Sequence, residues 1–316
     1  MTSNSEILTL DAIQAAARRI APFVQKTPIV ALTPTGIGLK AESLHPIGAF
    51  KIRGAFNALL SLSEAERRRG VVAHSSGNHA QAVAYAAKTL GIQCAVVMPE
   101  NVSHVKLAAT KSWGAEVFLV KPAERVSKCE SLARERGAVI IEPFDSLAIM
   151  AGTGTIGLEI LKQRPDVRFV TVPVSGGGLI GGLSAAVTQS APEVAVIGVE
   201  PVLANDAEQS FRKGEIVRLS TEEAGRTMAD GLRVPQLGRL PFANIRRFVR
   251  DIVSVTEDEI ASAMRLIAAE ARLIAEPSGA VALAGALKLG LDAPSTVAVL
   301  SGGNVKPAFY ASIIAA

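Results

Sequence analysis

Cys94-Ala-Val-Val-Met98, Val117-Phe-Leu-Val120 and Ala138-Val-Ile-Ile141 are short apolar runs, and what lies between them decides the fold. Val102 to Trp113 and Glu124 to Arg136 carry apolar residues at helical spacing. A strand apolar along its whole length is covered on both faces, and a helix joining two such strands lets them pair in parallel. The stretch therefore predicts a doubly wound parallel sheet. A second set follows, with strands at Phe169 to Val174, Val194 to Val199 and Thr296 to Leu300 and helices between them. Two doubly wound parallel-sheet domains result, which puts the chain in the α/β class. Gly70 and Phe144-Asp145 mark crossings between them. We expect a small domain over 69–146 inserted into a large one made of 1–68 and 147–316. One helix start is explicit: Thr256-Glu-Asp-Glu259 sets a hydroxyl at the N-cap and a carboxylate three residues on, a capping box.

The 316 residues are 49% hydrophobic and 20% charged, enough to bury a large core and long for one domain. A net charge of +4 is small for that length, and apart from Arg67-Arg68-Arg69 and Arg246-Arg247 the basic residues are scattered. With aromatic residues at 4% there is also little for unpaired bases to stack on, so a nucleic-acid partner is not expected. Cys94 and Cys129 are too few for a disulfide framework and read as thiols in a reducing compartment. His45, His74, His79 and His104 form no His-x-x-x-His pair, which leaves zinc little material. The residues from Met1 to Glu6 lack a basic region followed by an apolar one, and no stretch reaches the roughly eighteen apolar residues of a membrane span. A soluble cytoplasmic protein with no membrane partner is the expectation.

Four constellations carry chemistry. In Gly48-Ala-Phe-Lys51-Ile-Arg-Gly-Ala55 one lysine sits among small and apolar residues at the edge of a helical pattern. Desolvation would favour its free amine, the form that condenses with an aldehyde; alternatively its stem covers apolar surface and its head stays in water. Ser75-Ser-Gly-Asn-His-Ala-Gln81 gathers hydroxyls, an amide and backbone N–H groups at a helix start, which suits a carboxylate. Val174-Ser-Gly-Gly-Gly-Leu-Ile-Gly-Gly182 is a strand running into a glycine turn and a helix, so backbone N–H groups can close on a phosphate. It also holds a G-x-G-x-x-G at Gly176, Gly178 and Gly181, with Glu200 ending the next strand, as in an NAD-dependent oxidoreductase whose Glu200 would hold a ribose. Last, Leu300-Ser-Gly-Gly-Asn304 opens a strand end into a second glycine turn, where Ser301 could meet a heterocyclic nitrogen.

With Lys40-Ala-Glu42 added, these motifs in this order resemble the fold type II family of pyridoxal-phosphate enzymes, tryptophan synthase β-like in fold, that holds serine/threonine dehydratases and serine racemase. The resemblance spans nearly the whole chain. It implies pyridoxal 5′-phosphate on Lys51 as a Schiff base, Asn78 at the cofactor's phenolic oxygen, Ser175, Gly176, Gly177, Gly178 and Leu179 around its phosphate, and Ser301 at the pyridine nitrogen. Ser75, Ser76, Gly77, Asn78 and His79 would take the substrate carboxylate. Lys51 would remove the α-proton, and Ser76 matches the acid and base that racemases place on the opposite face. Many dehydratases carry alanine there, whereas hydroxyaspartate dehydratases share the serine. The expected activity is elimination of water and ammonia from a β-hydroxy amino acid such as threonine or serine, with hydroxyaspartate dehydratase and serine racemase as alternatives. Glu200, Ala204 and Asp206 reproduce the spacing of the cation site in the racemase-like members, for Mg2+ or else Ca2+ or Mn2+. The family also implies a homodimer.

The chain departs from the family in places. Glu42-Ser-Leu-His45 stands for Glu-Asn-x-Gln, and Gly152-Thr-Gly-Thr155 for Gly-Gln-Gly-Thr. A short stretch between Pro28 and Lys40 argues against ATP activation, and an end soon after Asn304 against isoleucine feedback.

Overall fold

The computed structural model of the chain describes residues 6–33, 35–102 and 104–315. Met1 to Ser5, where no leader pattern is read, lie outside them, as do Pro34 in the short segment before Lys40 and Ser103 in the helix expected from Val102.

Among the described residues the strands are β1 (Ile29–Ala31), β2 (Gly38–Ala41), β3 (Val71–His74), β4 (Cys94–Pro99), β5 (Glu116–Val120), β6 (Val139–Ile140), β7 (Phe169–Pro173), β8 (Ala195–Pro201), β9 (Asp251–Val255) and β10 (Thr296–Leu300). They form a six-stranded sheet in the order β1-β2-β10-β7-β8-β9 and a four-stranded sheet in the order β5-β4-β3-β6. All neighbours run parallel except β1 with β2. The fold is thus α/β with two parallel-sheet domains, as the alternation of apolar runs requires.

Each strand of the larger sheet sends alternate residues to opposite faces. In β10, Val297 and Val299 join Val170, Val172 and Val196 in one core layer, while Ala298 and Leu300 join Leu39, Val199 and Leu283 in the other. Burying each of these valines and leucines contributes about 1.5–3 kcal/mol, which is why the sheet needs helices on both sides. Helices Leu147–Gln163 and Gly178–Ser190 cover one face, and Glu257–Leu266 and Pro277–Lys288 the other. Thr256 and Glu259 form the expected capping box, and Ser63 with Glu66 and Ser220 with Glu223 form two more.

The helix expected from Val102 to Trp113 spans His104–Ser112, and that from Glu124 begins at Arg125, after a 3-10 turn at Pro122–Glu124. Three strands escape the apolar-run criterion for physical reasons. β2 is wholly buried yet contains Lys40, β9 is a half-buried edge, and β1 is a three-residue edge.

Topology sets the position of the site. β3 ends at His74, immediately before Ser75; β7 ends at Pro173, before the glycine turn; β10 ends at Leu300, before Ser301. All three motifs therefore follow the carboxyl ends of parallel strands, where open α/β sheets take their ligands.

Candidate active site

Lys51 is the first residue of the helix Lys51–Ser61, and backbone pairing draws its segment onto Ser301. Phe50 N donates to Ser301 O at 3.0 Å, Gly303 N donates to Gly48 O at 2.9 Å, and Ala49 and Gly302 form an antiparallel bridge. The Lys51 Nζ donates to Pro143 O at 2.7 Å. Burial with no carboxylate partner lowers its pKa to about 8, so an appreciable fraction is free amine near neutrality. The reading of a lysine head left in water is thereby set aside.

Next to Pro143, Phe144 packs on the glycine turn. A Cβ at Gly176 would fall 2.6 Å from ring carbons of Phe144, and one at Gly178 would fall 2.8 Å from its Cβ. Gly177 sits at φ +86°, with a Cβ there only 2.7 Å from that of Pro241. The turn is closed to side chains on all three glycines and leads directly into the helix Gly178–Ser190, whose first N–H groups are free of intrahelical partners. Thr153, where the family has glutamine, donates its hydroxyl to Gly178 O at 2.8 Å and so braces this helix start.

Ser75, Ser76, Gly77 and Asn78 are half-buried at the start of the helix Asn78–Leu90. His79 turns inward: its Nε2 lies 2.9 Å from Ile141 O, and burial, with Lys51 nearby, depresses its pKa to about 3. The ring stays neutral, and what His79 offers a ligand is its backbone N–H. Asn78 Nδ2 donates to Glu276 Oε1 at 2.7 Å, and Asn78 Oδ1 accepts from Asn304 Nδ2 at 2.8 Å. Ser301 is buried, with its hydroxyl 3.4 Å from Ser278 O.

Behind the lysine lies a buried charge network. Arg53 uses all five of its N–H groups: on Glu42 at 2.7 and 2.9 Å, on Glu159 at 2.7 and 2.9 Å, and on Thr155 Oγ1 at 3.1 Å. Lys40 Nζ donates to Thr27 O, Glu159 Oε2 and Gln163 Oε1. Arg53 holds the Glu42 carboxyl well below the usual range against the opposing effect of burial. His45 places Nε2 3.0 Å from Glu42, which gives the departure at that position a role. Two cations and two carboxylates thus anchor the helix that begins with Lys51.

The residues 20–302 match the family model described as pyridoxal-phosphate dependent enzyme. The chain belongs to this family. It is similar to the L-threonine ammonia-lyase of Thermotoga maritima, 41% identical over 95% of this chain and 76% of the relative. It is also similar to the L-threo-3-hydroxyaspartate ammonia-lyase of Saccharomyces cerevisiae, 38% identical over 95% of this chain and 94% of the relative. Among solved structures, the serine racemase of Dictyostelium discoideum superimposes with a TM-score of 0.88 at 38% identity, covering 95% of this chain and 99% of that one.

The residues fit pyridoxal phosphate. A desolvated amine, a turn whose glycines leave backbone N–H groups bare, a buried hydroxyl at a strand end and a clamped amide supply its four anchoring chemistries. Glu200 is wholly buried and accepts from Glu208 N at 2.8 Å, so it presents no carboxylate to a ribose as the oxidoreductase alternative needs. Glu276, which accepts from Asn78, is a site residue the sequence reading missed. Its only local signal is Glu276-Pro-Ser-Gly279 at a helix start.

Proposed function

We propose that the chain releases water and ammonia from a β-hydroxy amino acid such as threonine or serine, giving a 2-keto acid. The observation that carries this reading is the Lys51 amine, desolvated and set on Pro143 O beside the glycine turn. Pyridoxal phosphate, when bound, supplies the electron sink that acidifies the α-hydrogen of a linked amino acid. Lys51 would hold it through its amine, and its Nζ would take the α-proton of the substrate. Ser175 to Leu179 would hold the phosphate with backbone N–H groups, and Ser301 would offer the ring nitrogen a neutral hydroxyl. Ser75, Ser76, Gly77, Asn78 and His79 bind the substrate carboxylate at the helix N-terminus, where dipole and free donors favour an anion. Keto-acid release from L-threonine or L-serine tests the proposal, and no release from any β-hydroxy amino acid would overturn it.

Ser76 has no hydrogen-bond partner among the described residues, which leaves its hydroxyl available as an acid and base opposite Lys51. Ser76→Ala is expected to lower serine racemisation by about 10²–10⁴-fold, the usual worth of a positioned acid or base, while elimination stays within about tenfold. Equal loss of both rates would remove this role.

A specific observation favours 3-hydroxyaspartate as a second substrate. The Nε of Arg125 is buried with no hydrogen-bond partner among the described residues, and its charge helps burial to lower the pKa of His74, the residue before Ser75. A half-buried cation whose field reaches His74 suits a substrate with a second acidic group.

A divalent cation held by Glu200, Ala204 and Asp206 belongs to the same reading. Glu200 Oε1 and both carboxylate oxygens of Asp206 are buried with no hydrogen-bond partner among the described residues. Burial pushes the Asp206 carboxyl up to about 7 and that of Glu200 well above its ordinary value. Two buried carboxylates facing each other call for a positive charge, and an all-oxygen set suits Mg2+, Ca2+ or Mn2+. Chelation should lower the melting temperature by about 5 °C or more, with Mg2+ restoring it. No response to either would count against the site.

In this reading 69–146 acts as a small domain closing over the site within a large one of 1–68 and 147–316. It is supported by the ion pair from Lys106 to Asp230 and by the clamping of Asn78 between Glu276 and Asn304. A cytoplasmic homodimer completes the proposal. The unpaired Cys94 and Cys129 are consistent with a reducing compartment. The half-exposed Leu44, Ile274 and Phe309 offer apolar surface for a subunit contact.

A further inference from the structure

The geometry points to Glu276 as a positioning residue that fixes the amide of Asn78, so that one N–H of that amide is presented to the cofactor as an obligatory donor. The inference rests on the proposal that Asn78 faces the ring oxygen of the cofactor.

The orientation of the amide follows from a chain of contacts that begins at a backbone carbonyl. Ile47 O can only accept, so the side-chain atom of Asn304 at 2.7 Å from it is the nitrogen. That nitrogen spends its second hydrogen on Asn78, 2.8 Å away, which must therefore turn its oxygen toward Asn304. The Asn78 nitrogen then faces Glu276 Oε1 at 2.7 Å and gives it one hydrogen. Its second N–H has no acceptor among the described residues.

Glu276 is built into this place. Its side chain is buried, and its backbone N–H donates to Gly302 O at 3.1 Å. A Cβ at Gly302 would lie 2.5 Å from Glu276 Oε1 and 3.2 Å from Asn78 Nδ2, so only glycine leaves room for the pair. Burial and Asp230 raise the carboxyl to about 7, while Asn78, Lys106 and the N–H of Asn304 act in the opposite direction. In either charge state one oxygen remains an acceptor for Asn78.

The consequence is chemical. An amide whose oxygen is occupied can meet a ligand oxygen only as a donor, and a donor favours the anionic form of that oxygen. Glu276 and Asn304 together therefore bias the ring oxygen toward its anion. Without Glu276 the amide is held from one side only, by Asn304, and that bias weakens.

The test reads the pH midpoint of the visible band in the full-length, cofactor-loaded protein. Glu276→Ala should raise the midpoint by about one pH unit. Glu276→Gln, which restores an acceptor without the charge, should keep it close to the wild-type value. In an Asn78→Ala background the alanine substitution should add no shift, because Glu276 acts through Asn78. A downward shift shared by both Glu276 variants, or an equal shift with and without Asn78, would mean a through-space charge effect and overturn the inference. No shift in Asn78→Ala itself would overturn the underlying placement of Asn78 instead. If Glu276→Ala does not accumulate, Asn304→Ala frees the other side of the amide and should give the same upward shift; its absence would count against the clamp.

Discussion

Lys51→Ala is expected to abolish keto-acid release, by about 10⁴-fold or more, together with the visible chromophore of the purified protein. In the proposed mechanism the residue supplies both the covalent link to the cofactor and the base for the α-proton, so no partial function would survive its loss. Another lysine cannot take its place: Lys40 is wholly buried and its three donors are occupied by Thr27, Glu159 and Gln163. The loss should be chemical rather than structural. Lys51 makes no ion pair among the described residues, its ammonium is desolvated, and alanine is the best helix former for the first turn of Lys51–Ser61. Thermal melting of the variant should therefore match or exceed that of the cofactor-free parent. A Lys51→Ala protein that kept full turnover would sink the assignment.

The largest effect on stability is expected from Arg53→Ala. Removing this guanidinium leaves Glu42 wholly buried without its bidentate partner, with Lys40 as the one remaining cation for it and Glu159 in the buried charge network, and should cost about 3–5 kcal/mol. Against the roughly 5–15 kcal/mol that holds a typical domain together, that is enough to leave much of the protein unfolded at physiological temperature. Arg53→Lys should recover little, because a single ammonium cannot replace two bidentate pairs and a hydroxyl contact at once. Chemical denaturation measures both; a cost below about 1 kcal/mol for the alanine variant would show that the network relaxes around the gap.

What could be read from the sequence, and what could not, follows the range of the interactions involved. Lys51, the turn at Gly176 to Gly178 and Ser301 are each announced by their neighbours in the chain, since a strand end, a glycine run and a helix start are local events. The lowered pKa of Lys51 was legible for the same reason: its apolar neighbours in sequence also bury it. Lys40 and Glu42 were visible only as members of a motif. Their purpose depends on Glu159 and Arg53, and Arg53 reaches Glu159 across 106 positions. Glu276 meets Asn78 across 198, so no local pattern could disclose the pair. The same blindness affected β2, where a buried lysine breaks an apolar run because its counter-charge lies on a distant helix. Glu200 shows how topology corrects pattern. Its spacing from the glycine turn suits a ribose ligand, but its place inside the β8 ladder buries the carboxylate beside Asp206.

The most direct test is the visible absorbance of the purified protein before and after separate additions of L-threonine, L-serine and 3-hydroxyaspartate, with keto acid assayed in the same samples. The account predicts a band from cofactor held on Lys51, a change in that band with at least one of these substrates, and release of the corresponding keto acid. A protein that stayed colourless even with added pyridoxal phosphate, or a band that none of the three perturbed, would contradict it.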